Sequence, residues 1–177
     1  MSPTDRTVKA KVRGRKQVPL TNSSNTGFYW GWNSVGQLGL GYSDGAEPLP
    51  QQVDALIGLN VCAVATGSFA SCAVTAAGQL YTWGSGDQGR LGHGDATAQF
   101  EPERVEALQD EWVVAASAGI KHTIAVTRDC RVFSWGATDG LGLPETAAAE
   151  HEEEDEAGAL FIMLPRRYPQ LSCAPYS

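Results

Sequence analysis

Three tryptophan–glycine pairs recur at almost constant spacing, and that period constrains the fold more than any other feature of the chain. Trp30-Gly31, Trp83-Gly84 and Trp135-Gly136 lie 53 and 52 residues apart. Around the first two pairs, F-Y-W-G-W-N-S-V-G-Q-L-G-L-G (28–41) and Y-T-W-G-S-G-D-Q-G-R-L-G-H-G (81–94) agree at 6 of 14 positions. Other landmarks keep the same step. Pro50-Gln51-Gln52-Val53-Asp54-Ala55-Leu56 returns 52 residues later as Pro102-Glu103-Arg104-Val105-Glu106-Ala107-Leu108, and Gly67 returns as Gly119. Independent landmarks on one period of about 50 residues indicate a repeat architecture, in which each unit buries its apolar face against a neighbour.

Each period reads as short strands joined by turns. Val61–Ala65 and Val113–Ser117 are apolar runs that lead to Gly67 and Gly119. Ser71–Thr75 and Thr123–Thr127 follow, and turns at 76–79 and 128–131 lead into Leu80–Trp83 and Val132–Trp135. These are hairpin signals. Cys130 stands where the first turn has Gly78, so the second turn is strained if it needs a positive φ. The reading is an all-β fold: an incomplete β-propeller of about three blades built from ~52-residue repeats, each a small antiparallel sheet. Twenty glycines in 177 residues, well above the average share of about 7%, agree with a chain of many turns.

Charge divides the chain. Residues 1–26 carry Arg6, Lys9, Lys11, Arg13, Arg15 and Lys16 against Asp5, a balance of +5, while the rest carries −12. We expect a basic flexible tail over 1–26 and a repeat domain over 27–177, with units at about 27–80, 81–132 and 133–177. Six acids cluster in Glu150–Glu156. The proline marker returns late, as Pro165-Arg166-Arg167-Tyr168-Pro169-Gln170-Leu171, so the acidic run reads as a loop insertion over 149–158. No stretch reaches the ~18 apolar residues of a membrane helix, and the N-terminus lacks a secretory pattern. Cys62, Cys72, Cys130 and Cys173 form no C-x-x-C pair or metal-ligand spacing. Reduced, mostly buried thiols in an intracellular protein of cytoplasm or nucleus are the expectation.

The repeats resemble those of the regulator of chromosome condensation family, whose signature pairs a G-x-x-H-[ST] strand with W-G-x-x-x-x-G-Q-L-G-x-G. Trp30, Gly31, Gly36, Gln37, Leu38, Gly39 and Gly41 carry the second element in full. Trp83, Gly84, Gly89, Leu91, Gly92 and Gly94 repeat it with Arg90 in place of Gln. Gly119 and His122 carry the first element, Gly67 opens its earlier copy, and Trp135-Gly136 begins a third tryptophan element two residues short. Kelch repeats have a similar period but need a double glycine that is absent here. The resemblance implies a seven-bladed propeller in complete members, used to dock proteins or chromatin. Its founding member exchanges nucleotide on the small GTPase Ran and bears a basic tail. At about three units, the chain reads as part of such a propeller, and self-association or further blades are expected.

Two functions follow: a non-catalytic protein-interaction module, or exchange on a Ran-like GTPase with chromatin contact through the tail. Lys9, Lys11, Arg13, Arg15 and Lys16 have the density of a phosphate contact or an import signal, but a tail that only aids solubility fits as well. Gly84–Gly89 spells G-x-G-x-x-G, yet the glycine-rich residues after it cannot open the helix a dinucleotide site needs. No local Ser/His/Asp or Cys/His set points to catalysis, and no cofactor or metal is implied. His122 is expected to hydrogen-bond within its blade. Trp30, Trp83 and Trp135 are expected to fill the wedge between blades. A light-sensing branch of the family carries Gly-Trp-Arg-His-Thr where this chain has Gly119-Ile120-Lys121-His122-Thr123, so light sensing is not expected.

Overall fold

Small and β-branched residues alternate with glycine turns through the middle of the chain, and the computed structural model describes them as strands. It describes residues 27–138, 153–154 and 160–168. The strands are β1 (Phe28–Trp32), β2 (Ala46–Gln52), β3 (Val61–Thr66), β4 (Ala70–Thr75), β5 (Leu80–Gly84), β6 (Gln99–Arg104), β7 (Val113–Ala118), β8 (His122–Thr127), β9 (Val132–Ala137), β10 (Glu153–Glu154) and β11 (Leu160–Tyr168). They form a two-stranded sheet β1-β2, a four-stranded sheet β3-β4-β5-β6 and a five-stranded sheet β10-β11-β9-β8-β7, with every pairing antiparallel. The fold is all-β, made of sheet repeats not closed into a full propeller.

The sheets are out of phase with the sequence units. One complete sheet runs from Val61 to Arg104, because the tryptophan strand pairs back onto the hairpin before it.

The strand paired with each tryptophan strand, β2, β6 or β11, carries the repeat proline. In the sequence the Pro50 and Pro102 segments are repeat landmarks and carry no strand signal, since proline is ill suited to a strand interior. The pairing resolves this. Tyr29 and Gly31 face Gln51 and Glu47, Thr82 and Gly84 face Glu103 and Gln99, and Ser134 and Gly136 face Arg166 and Ile162. Three residues ending in Pro50, Pro102 or Pro165 thus stand opposite Trp30, Trp83 and Trp135. The proline sits inside a bulge, where the ladder asks for no N–H. After β2 and β6 a 3-10 turn folds Val53, Leu56, Val105 and Leu108 into the interior, which explains the apolar spacing of that marker.

Two apolar clusters hold the sheets together. Tyr29, Leu38, Val53, Val61, Ala73 and Trp83 form one between the first and second sheets. Cys72, Val74, Leu80, Val113, Ala125 and Trp135 belong to the other, between the second and third. Strand β4 is buried at all six positions, which accounts for its small side chains.

Three expectations need correction. Of the thiols described, only Cys72 is buried, while Cys62 is exposed and Cys130 intermediate. Cys62 sits on the side of β3 that faces away from the core. The acidic insertion is not loop throughout, since Glu153 and Glu154 pair with Phe161 and Leu160; backbone pairing to β11 overrides the charge pattern there. The rest of 149–158, the tail 1–26 and Cys173 lie outside the described residues. Third, His122 makes no side-chain hydrogen bond among the described residues. Its ring instead lies on Gly119, where an added Cβ would come within 2.8 Å of the imidazole.

Candidate functional site

The glycine loop after each tryptophan strand is built from its own side chains. Asn33 Oδ1 accepts from the Leu38 N–H at 3.1 Å, Asn33 Nδ2 donates to the Tyr42 carbonyl at 2.8 Å, and the Val35 N–H donates to Gln37 Oε1 at 3.0 Å. These bonds point the Gln37 carbonyl outward, toward the second sheet. There it accepts two hydrogen bonds, from Ser71 Oγ at 2.6 Å and from the Trp83 indole N–H at 3.1 Å. The next junction repeats the arrangement: the Arg90 carbonyl accepts from Thr123 Oγ1 at 2.8 Å and from the Trp135 indole at 3.0 Å. Both tryptophans are fully buried, each in an apolar cluster between two sheets.

The signature residues therefore serve the junctions. Leu38 and Leu91 plug them and are buried. Gly39 and Gly92 have φ of +75° and +81°, and a Cβ there would stand 2.7 and 2.6 Å from the indole Nε1 of Trp83 and Trp135. Only glycine satisfies both the turn and the approach. Gly31, Gly36, Gly41, Gly84, Gly89, Gly94 and Gly136 likewise take positive φ. Gly67 lies against the Gly119 carbonyl of the next sheet, too close for any side chain. Gly84–Gly89 runs into a 3-10 turn over Asp87–Gly89 and not into a helix.

Arg90, a departure from the signature, adds a contact that glutamine is too short to make. Its Nη1 donates to the Ile120 carbonyl at 2.9 Å, its Nε to the Asp87 carbonyl at 2.7 Å, and its guanidinium lies 5.7 Å from the centre of the Phe69 ring. Burial pulls its pKa down, and Asp87 partly opposes this. The loops 67–69 and 119–121 are thus tied together at one end of the sheets. Phe69 and Ile120 are exposed there. Trp32, 62% exposed, occupies the matching end of β1, since Ser85, its counterpart after Trp83-Gly84, bonds the Phe69 carbonyl. Sequence reading missed this apolar rim, because nothing in the pattern shows which loop residues face solvent.

On the opposite flank, a cleft of about 250 Å³ between the first two sheets is lined by Leu40, Tyr42, Gln51, Asp54 and Glu101. Glu47 accepts from the Tyr42 hydroxyl at 2.7 Å and raises its pKa. Among the described residues no three of His, Cys, Asp and Glu could hold a metal, and no helix is long and apolar enough to cross a membrane. His93 Nε2 lies 3.0 Å from Thr82 Oγ1, a contact between β5 and the glycine loop that follows it.

The sequence matches the regulator of chromosome condensation (RCC1) repeat over residues 28–74 and 77–126. The chain belongs to this repeat family. A second form of the same repeat matches 61–90. Human E3 ubiquitin-protein ligase HERC2 is 40% identical over 126 residues, covering 71% of this chain and 3% of that protein. The ultraviolet-B receptor UVR8 of Arabidopsis thaliana is 33% identical over 130 residues, covering 73% of this chain and 29% of its own. The chain thus spans a small part of either relative. Among solved structures, Prp20p of Saccharomyces cerevisiae superposes with a TM-score of 0.68 at 23% identity, over 81% of this chain and 34% of its own. Human WBSCR16 superposes at 0.63 and 23% identity, over 83% and 34%. The junction residues described above are what assemble these repeats here.

Proposed function

We propose that the chain is a protein-docking module whose apolar rim of Phe69, Ile120 and Trp32 receives a Ran-like small GTPase, as in a guanine-nucleotide exchange factor. The rim carries this reading. Three large apolar side chains are held in solvent at one end of the sheets, two of them on loops that the buried Arg90 ties together. Large apolar side chains so held suit a surface that a partner covers. The fold likeness to Prp20p, whose structure was reported with its binding properties to Gsp1p and histones, supports a partner of that kind. Kap60 has been seen bound to the same yeast protein. Those associations support a nuclear or nucleocytoplasmic setting, with Lys9, Lys11, Arg13, Arg15 and Lys16 in the role of chromatin or import contact. In this reading the protein acts by binding. A second reading, docking within a ubiquitin ligase, is favoured by the 40% identity to HERC2. Release of a fluorescent GDP analogue from Ran separates the two. Catalytic amounts of the chain are expected to speed release, and release at the intrinsic rate would remove the exchange reading.

A further inference from the structure

The first sheet and its glycine loop carry negative charge and no cation of their own. Between Lys16 and Arg90 the sequence holds no lysine or arginine, yet it holds Asp44, Glu47, Asp54 and Asp87. Asp87 is answered by Arg90, 3.6 Å away. Glu47 is held by the Tyr42 hydroxyl. Asp54 instead lines the cleft of about 250 Å³ between the first two sheets, and Glu101 of β6 lines it from the second sheet. Both carboxylates are exposed, and neither has a cationic partner among the described residues. Leu40 and Tyr42 give the same cleft an apolar wall. Such a wall suits the methylene stem of a lysine or arginine whose charged head meets the carboxylates.

We infer that this cleft is the docking site of the chain's own basic run, residues 9–16, and that the contact is autoinhibitory. Charge argues for this occupant. Arg6, Lys9, Lys11, Arg13, Arg15 and Lys16 are the only lysines and arginines before Arg90. Position argues for it as well. The Gly27 carbonyl accepts from the Val53 N–H at 3.2 Å, and Val53 directly precedes Asp54, so the tail joins the first sheet at the wall of the cleft. Ten residues, 17–26, separate Lys16 from Gly27, enough to span up to about 35 Å. A segment tethered this closely acts at an effective concentration of the order of millimolar, so a few exposed ion pairs suffice to hold it. While the cleft holds the run, its lysines and arginines are withheld from any phosphate or import contact. Salt or a competing polyanion releases them. None of this depends on what the apolar rim binds.

A carbodiimide joins a lysine amine to a carboxylate only where the two touch, and it is the probe. The full chain is treated at low salt, and the joined residues of the monomeric product are identified by mass spectrometry. Amide links from Lys9, Lys11 or Lys16 to Asp54 or Glu101 are expected, and they should fade at about 0.5 M salt as the attraction is screened. The second measurement is tryptic cleavage after Arg13, Arg15 and Lys16. Asp54→Asn combined with Glu101→Gln is expected to quicken it roughly threefold or more, since cleavage follows the undocked population. Cleavage after Arg104 and Arg131, inside the sheets, should not change. The proposal is overturned if the links are absent, or if they spread evenly to exposed carboxylates elsewhere such as Asp95 and Asp110. Equal cleavage of the tail in the double variant overturns it too. Links formed only between chains also overturn it, and would make the cleft a site for another chain's basic segment.

Discussion

The indole N–H of Trp83 and the carbonyl oxygen of Gln37 lie 3.1 Å apart across the junction of two sheets, 46 residues apart in sequence. That bond and its copy between Trp135 and Arg90 explain why tryptophan and the glycine loop recur together. One supplies bulk and a single donor, and the other supplies a bare backbone that the ring can approach.

Removing the ring should be severe. Trp83→Ala is expected to lose about 3–5 kcal/mol, the range for a large buried aromatic. Trp83→Phe should lose less, the smaller ring plus a hydrogen bond of about 1 kcal/mol. Urea unfolding of both variants checks the order, and equal midpoints for Trp83→Ala and the parent chain would reject the wedge role.

The glycine loop should tolerate no methyl group. Gly39→Ala and Gly92→Ala each place a Cβ within 2.7 Å of an indole nitrogen, at a positive φ. The backbone alone costs about 1–2 kcal/mol, and the clash adds to it. Gly45, which also has a positive φ but has open space around it, is the control, and Gly45→Ala should show the backbone cost only. Thermal unfolding of the three variants reads the difference.

Cys130 offers a gain. It adopts φ of +61° where Gly78 adopts +78°, and Arg131 clamps the turn through Glu111 and Asp129 at 2.6 and 2.7 Å. Cys130→Gly relieves the backbone strain and is expected to stabilise the chain by up to about 1 kcal/mol. A lower melting temperature would show that the thiol contributes packing that outweighs the strain.

Stability should fall in alkali. Burial pushes the Cys72 thiol up to about 12, and Tyr29 is raised as well, by burial first and then by Cys72. The folded chain therefore keeps a Cys72 proton that the unfolded chain releases above about pH 9. This contribution is whole below pH 9 and is lost as pH rises toward 12, at up to about 1.4 kcal/mol per pH unit. Urea midpoints between pH 8 and 11 should slope downward, less steeply in Cys72→Ala. A flat profile in the parent chain would contradict the assignment.

Much of this fold was legible because period, glycine and tryptophan are local signals with one geometric meaning. Val61–Thr66 and Val113–Ala118 announced themselves as strands by their apolar runs. The strands carrying Pro102 and Pro165 did not, because a proline bulge opposite a tryptophan is visible only once both strands are paired. Likewise Ser71 and Thr123 fit a strand pattern, but their acceptors, the carbonyls of Gln37 and Arg90, lie 34 and 33 residues away. The rim was the least legible part. Phe69 and Ile120 sit in glycine-flanked loops, and only the reach of Arg90 to both shows that they stand on one surface.

The docking claim is tested most directly by titrating the full chain against immobilised, nucleotide-free Ran. The parent chain is expected to bind, and Phe69→Ser combined with Ile120→Ser is expected to weaken binding at least about tenfold while lowering the urea midpoint only by the lost Phe69–Arg90 contact, about 0.5–1 kcal/mol, since both side chains are exposed. Absence of binding by the parent chain, or equal binding by the double variant, would contradict the account.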